Sequence, residues 1–262
     1  MKKVKRIFVL AVISILTACQ QPADKNAAQS EAAAPVSITG PEALAKAVRY
    51  HDPEGKWSTF QGKVRMVTAF ADGSNRGEEI IELRRADHYY KCIRNLGDFH
   101  SEKGVENGAC FVRINGNDKP GEEEIKKQNL SCEATKDFQY HHSAHIGWVM
   151  EAQSAGLYIT DSTVLEDFKG KKCLAVTMEG KKGAVVHPYW EGRITLYLDP
   201  ETFAFSGTRW TPANPEYFSL YSIPIGEITV NSIRIPQIKS NYKVKDGSLY
   251  FTDVFTYAEE NK

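Results

Sequence analysis

RIPQIKSNYKVKDGSLYFTDVFTY, residues 234–257, is two extended runs joined at Asp246-Gly247. Asp-Gly between such runs is a strong short-range hairpin signal, because the turn needs backbone at positive φ that these residues tolerate. In the second run Leu249, Phe251, Phe255 and Tyr257 share one face, with Asp253 the exception. A period of two marks a half-buried strand.

The same grammar extends toward the N-terminus. In GRITLYLD (192–199) Ile194, Leu196 and Leu198 share a face, and Asp199-Pro200-Glu201-Thr202 turns the chain into FAFSGTRW (203–210). In FQGKVRMVTAF (60–70) Phe60, Val64, Met66 and Phe70 oppose Gln61, Lys63 and Arg65. Asp72-Gly73-Ser74 then leads to EEIIELRR (78–85), and HYYKCIR (88–94) reads as a third strand.

Two segments break the two-residue period. Thr39 caps a short helix with Glu42 three residues on and Pro41 in its first turn; Leu44, Ala47 and Val48 share its face before HDP (51–53) ends it. DFQYHHSAHIGWVMEA (137–152) reads as one helix, with Ile146, Val149 and Met150 on one stripe and Phe138, His142 and His145 on the next. The sum is a long antiparallel meander with two helices, an α+β fold whose helices gather on one face of a curved sheet.

The N-terminus says where such a body works. Lys2, Lys3, Lys5 and Arg6 precede an apolar run, Ile7 to Leu16, interrupted only by Ser14. That order is a secretory signal peptide, too short to span a bilayer. Leu16-Thr17-Ala18-Cys19 resembles the bacterial lipobox, which implies cleavage after residue 18 and lipid on Cys19. Gln20, rather than Asp, implies by the same resemblance the outer membrane, and its periplasmic face is expected. Residues 19–40 are rich in Ala, Ser, Gln and Pro and read as a flexible tether, leaving 41–258 as one domain.

Removing residues 1–18 lowers Lys+Arg from 33 to 29 against 33 acidic residues, a net charge of about −4. A mildly acidic chain with interspersed charges argues against nucleic acid as a partner. Four cysteines remain in an oxidising compartment. Cys92 and Cys110 flank the turn-rich HSEKGVENG and are expected to pair across it; Cys132 with Cys173 follows by elimination, with buried free thiols as the alternative.

Several stretches carry a resemblance: HDPEGKW (51–57), FVRINGNDKPGEEEIKKQNLSCE (111–133), the following GWVM, YLDPETFAFSGTRW (197–210) and IRIPQIKSNYKVKDGSLYFTDVF (233–255). Together they resemble a family of uncharacterised Bacteroidota lipoproteins, itself similar to the LolA, LolB and LppX clan of lipoprotein carriers. The resemblance implies an open, unclosed β half-barrel with helices on its concave, apolar side. It also implies a cargo of lipid or lipoprotein acyl chain. Phe60, Val64, Met66, Phe70, Ile194, Leu196, Leu198, Phe251 and Phe255 are the candidates for a ligand-binding lining, and a plain core asks for the same residues.

No nucleophile elbow, phosphate loop or dinucleotide fingerprint is present, and Glu122-Glu123-Glu124 reads as solvated charge. His141 and His145, or His142 and His145, stand at helical spacing for two ligands to one metal ion, but no third ligand stands at such a spacing. No cofactor is expected. The expectation is therefore a non-catalytic, membrane-anchored binder of an apolar ligand. The alternatives are an envelope scaffold with a plugged barrel and a protein partner of unknown identity or, ranked lower, a metal-dependent hydrolase.

Overall fold

The computed structural model describes residues 37–180 and 191–257. The signal peptide, Cys19 and the tether up to residue 36 lie outside the described residues. The first helix, α1 (Gly40–His51), begins as its sequence dictates: the Thr39 side chain accepts from the Glu42 amide, and the Glu42 carboxylate accepts from the Thr39 amide. A reciprocal cap of this kind stabilises a helix start by about 1 kcal/mol. Ala43, Leu44 and Ala47 are its buried face.

Five strands follow as successive antiparallel neighbours: β1 (Gln61–Phe70), β2 (Asn75–Arg84), β3 (Tyr89–Leu96), β4 (Phe99–Glu106) and β5 (Ala109–Ile114). Three helices come next, α2 (Glu122–Lys127), α3 (Cys132–Ile146) and α4 (Trp148–Ser154). The chain then returns to strands: β6 (Tyr158–Ile159), β7 (Val164–Phe168), β8 (Lys171–Gly180), β9 (Gly192–Leu198), β10 (Phe205–Pro212), β11 (Leu220–Val230), β12 (Ile233–Lys243) and β13 (Leu249–Tyr257). All belong to one antiparallel sheet, ordered β5-β4-β3-β2-β1-β13-β12-β11-β10-β9-β8-β6, with β7 also on β8. β1 pairs with β13, so the first and last strands meet in the middle of the sheet, and its two edges stay unjoined.

The sheet is curved, and its core shows why. Tyr90 and Cys92 on β3 belong to the same buried cluster as Leu174, Val176 and Met178 on β8. In a flat sheet those strands, eight steps apart in the strand order, would stand about 38 Å from each other. They share a cluster because the sheet wraps around α1, α3 and α4, whose Leu44, Ile146, Val149 and Met150 fill the concave side. Bulges at Val67/Ala69, Phe205/Gly207 and Asn241/Tyr242 supply local bends. The opposite face carries a smaller cluster of Phe168, Cys173, Ala175, Tyr197 and Tyr221.

The structure departs from the sequence reading in three places. The segment read as one helix starts earlier, at the Ser131 cap, and breaks at Gly147 into α3 and α4. A Cβ at Gly147 would collide with the Trp57 ring, so glycine lets the helix junction rest on that indole. HSEKGVENG is mostly strand β4 rather than a turn, the reversals falling at Gly97-Asp98 and Asn107-Gly108.

The third correction is the disulfide. Cys92 and Cys110 do not pair: β4 lies between their strands, and alternate strands stand about 9.6 Å apart, beyond the 7 Å limit for a bridge. Cys110 bonds instead to Cys132 at the start of α3. Cys92 and Cys173 are free and buried, Cys92 in the concave core and Cys173 on the opposite face, which also excludes a Cys132–Cys173 bond.

Candidate functional site

On the inner face of β1, β13 and β12, register places Thr68 opposite Asp253 and Asp253 opposite Lys239. A second inner row runs Thr208, Ser222, Asn241, Phe251 and Phe70 across β10, β11, β12, β13 and β1. Together with α3 these rows enclose a cavity of about 220 Å³.

Its floor is polar. Thr68 Oγ1 donates to Asp253 Oδ1 at 2.7 Å, and Ser222 Oγ donates to Asn241 Oδ1 at 2.5 Å. Lys239 Nζ lies 3.0 Å from His145 Nδ1, which is 3.2 Å from Asp253 Oδ2; the lysine and the carboxylate stand 4.0 Å apart. Lys239 is 3% exposed and Asp253 1%, so both charges are withdrawn from water. Burial pushes Lys239 down to about 8, opposed by the charge on Asp253. Burial and then Lys239 hold the His145 imidazole well below the usual histidine range; for His141 the causes are burial, His145 and Lys239. Met66, Ile194 and Trp148 complete the floor.

Half-buried side chains form the mouth: Phe70, Trp210, Leu220, Tyr250 and Phe251, with Arg76 and His141. The Arg76 guanidinium lies 5.5 Å from the centre of the Phe70 ring, a cation–π contact. Phe70 meets Tyr250 and Phe251 at 5.9 Å each. The arrangement is an aromatic entrance above a hydrogen-bonding floor, suited to a small molecule with distinct apolar and polar parts.

Of the nine candidates for an apolar lining, Met66, Phe70, Ile194 and Phe251 reach the cavity. Phe60, Val64, Leu196, Leu198 and Phe255 are packed into the core and do not. The polar floor escaped sequence reading, although Asp253 signalled it by interrupting an apolar face. The histidines divide: His141 and His145 lie with ring centres 4.0 Å apart at the cavity, while the His142 Nδ1 is 2.9 Å from the Tyr90 hydroxyl. Among the described residues no group of three or more His, Cys, Asp or Glu is arranged to hold a metal ion. No helix among them is long and apolar enough to cross a membrane.

Residues 5–220 match a family of unknown function (DUF6503). The chain belongs to that family. No curated protein matches it. Among solved structures, the chain is similar to a LolA superfamily protein from Nitrosomonas europaea, at 12% identity over 85% of this chain and 93% of that one, with a TM-score of 0.49. A domain from Vibrio parahaemolyticus described as an outer membrane lipoprotein-sorting protein matches at 9% identity, 84% and 92% coverage and a TM-score of 0.44. A DUF1329 family protein from Desulfovibrio piger matches at 12% identity, 86% and 96% coverage and a TM-score of 0.40. The open antiparallel sheet itself is established by the strand order given above.

Proposed function

We propose that the chain is a membrane-anchored envelope lipoprotein whose half-barrel binds a small amphipathic ligand and performs no chemistry on it. The observation that carries this reading is the cavity, with aromatic side chains at its mouth and polar ones on its floor. Its volume of about 220 Å³ is below the roughly 300–1,000 Å³ of sites for drug-sized ligands. One short chain or headgroup fits; the several acyl chains of a lipoprotein anchor do not. The lipobox supports attachment through Cys19, and Gln20 supports the outer membrane, with the body held at its periplasmic face.

The test uses the full chain, purified into nanodiscs of one defined synthetic lipid, then extracted for mass spectrometry. A non-covalent amphiphile foreign to the disc lipid is expected at near one per protein, and Phe251→Glu at the mouth should reduce it at least tenfold. In the same samples Cys19→Ser should abolish the covalent lipid mass. Protein carrying no such amphiphile and taking up none would favour the envelope scaffold, a reading that the filled part of the concave face supports.

A further inference from the structure

We propose that the cavity takes its ligand head-first and that the head is a carboxylate, held at the floor by Lys239 and drawn in past Arg76, so that the ligand class is a short carboxylate-headed amphiphile. This rests on the binding reading above and names the chemistry of its ligand.

The first support is donor capacity. A lysine ammonium has three N–H donors, and Lys239 uses one on His145 Nδ1 at 3.0 Å. Asp253 at 4.0 Å is beyond hydrogen-bond reach, and no further partner of Lys239 stands among the described residues. The spare donors belong to a nearly fully buried cation on a cavity wall, where an unmet donor costs most.

Charge balance is the second support. Asp253 is the one carboxylate on the described cavity wall; its Oδ1 accepts from Thr68, while its Oδ2 lies 3.2 Å from His145 Nδ1 and has no hydrogen-bond partner. Arg76 forms no ion pair among the described residues and rests on Phe70. Among the groups on the cavity wall, with both histidines neutral, Lys239 and Arg76 outweigh Asp253 by a single positive charge; Arg76 also faces Glu79 behind the wall, whose carboxyl burial pushes up. A carboxylate neutralises that excess, whereas an alkyl phosphate, nearly dianionic at neutral pH, overshoots it.

Orientation follows from the same wall. A chain entering tail-first would press methylenes against Lys239, Asp253, Asn241 and Ser222 and strip their hydration without replacing it. Entering head-first, it lays the methylenes along Phe70, Trp210, Leu220 and Phe251.

The experiment titrates the full chain in nanodiscs with hexanoate, hexanol, hexylammonium and hexyl phosphate, reading the fluorescence of Trp148 and Trp210 on the wall against empty discs. Hexanoate is expected to bind at least tenfold tighter than hexanol and tighter than the other two probes. Lys239→Met should make hexanoate and hexanol equal. Because that variant leaves Asp253 buried without its cation, Arg76→Gln at the half-buried mouth is the second variant: it should weaken hexanoate several-fold and leave hexanol unchanged. Hexanol equal to hexanoate on the wild type, tighter binding of hexylammonium or hexyl phosphate, or a preference that survives both substitutions overturns the proposal. If no probe binds, the binding reading itself falls, a result distinct from equal binding of acid and alcohol.

Discussion

Helix α3 serves two buried polar clusters built from the same residue types, and they differ in access. On one side His145 meets Lys239 and Asp253 on the cavity floor. On the other, His142 meets Glu79 on β2 and Tyr90 on β3, with Cys92 on β3 and Lys103 on β4 beside Glu79, none of which reaches the cavity. Burial dominates both: Lys103, like Lys239, is pushed down to about 8, and Cys92 is pushed up to about 12. The sealed cluster is satisfied in part within the protein: the Glu79 Oε2 and His142 Nε2 atoms are buried without a hydrogen-bond partner, and its other polar groups find partners. Lys103 sits 3.2 Å from the centre of the Phe138 ring, and the Cys92 thiol points to Glu79 at 3.9 Å. The open cluster lines empty volume. Identical chemistry thus supports packing where it is closed and recognition where it is open.

The largest test removes one charge from the open cluster. Asp253→Leu leaves Lys239 buried with no carboxylate and is expected to cost about 3–5 kcal/mol in urea unfolding. Lys239→Met/Asp253→Leu should return to within about 1 kcal/mol of the wild type, since a buried ion pair is often replaceable by apolar side chains of similar volume. The parallel double variant, Glu79→Leu/Lys103→Met, should be similarly tolerated. The two then separate in hexanoate binding, lost in the first and kept in the second. Equal loss in both would erase the distinction between floor and packing.

A smaller effect is expected from the bridge that anchors α3 to β5. Cys110 and Cys132 close a loop with a sequence separation of 22, for which chain entropy gives a contribution of about 3 kcal/mol. Cys110→Ser/Cys132→Ser should therefore lower stability by that order and raise amide exchange in the first turns of α3, over the sealed cluster. Hexanoate affinity should move less than twofold, because His145 and Ile146 at the far end of α3 are held by β12, β13 and the helical core. Loss of binding in step with the bridge would show that the two clusters act as one unit.

Most of the frame could be read from the chain, and the part that could not has a geometric cause. The Thr39 cap, the alternation in β1 and β9 and the Asp199 turn are local, and each stands as its residues predict: Asp199 Oδ1 accepts from the amides of Glu201 and Thr202. The cavity floor depends on register. A two-residue Asp246-Gly247 turn would set Lys245 opposite Ser248 and carry Lys239 opposite Val254. The actual loop closes with Lys243 donating to the Ser248 carbonyl, and the bulge at Asn241/Tyr242 shifts the ladder so that Lys239 faces Asp253. A shift of one residue moves a side chain to the other face, so nothing short of the pairing itself reveals a buried lysine there. The disulfide was hidden likewise: with β4 read as a loop, Cys92 and Cys110 seemed one hairpin apart rather than two strands.

The smallest effect falls on the sealed cluster and shows in pH dependence rather than in midpoint. Burial raises the Glu79 carboxyl above its ordinary value, with Arg76 and Lys103 opposing. A carboxyl whose folded value is raised holds its proton longer in the folded state than in the unfolded one. Its contribution to stability is therefore full at low pH and is lost as pH rises from the unfolded value of about 4.5 through the folded one. Glu79→Gln keeps the shape and has no charge to bury, so urea midpoints measured from pH 4 upward should lose that downward component. Hexanoate affinity at fixed pH should move less than twofold, since Glu79 is not on the cavity wall and reaches it only through its charge on Arg76 and Asp253. A variant whose pH profile matches the wild type would mean that Glu79 is already balanced by its lysine and arginine neighbours. The sealed cluster would then be a true ion pair, and the contrast with the cavity floor would rest on access alone.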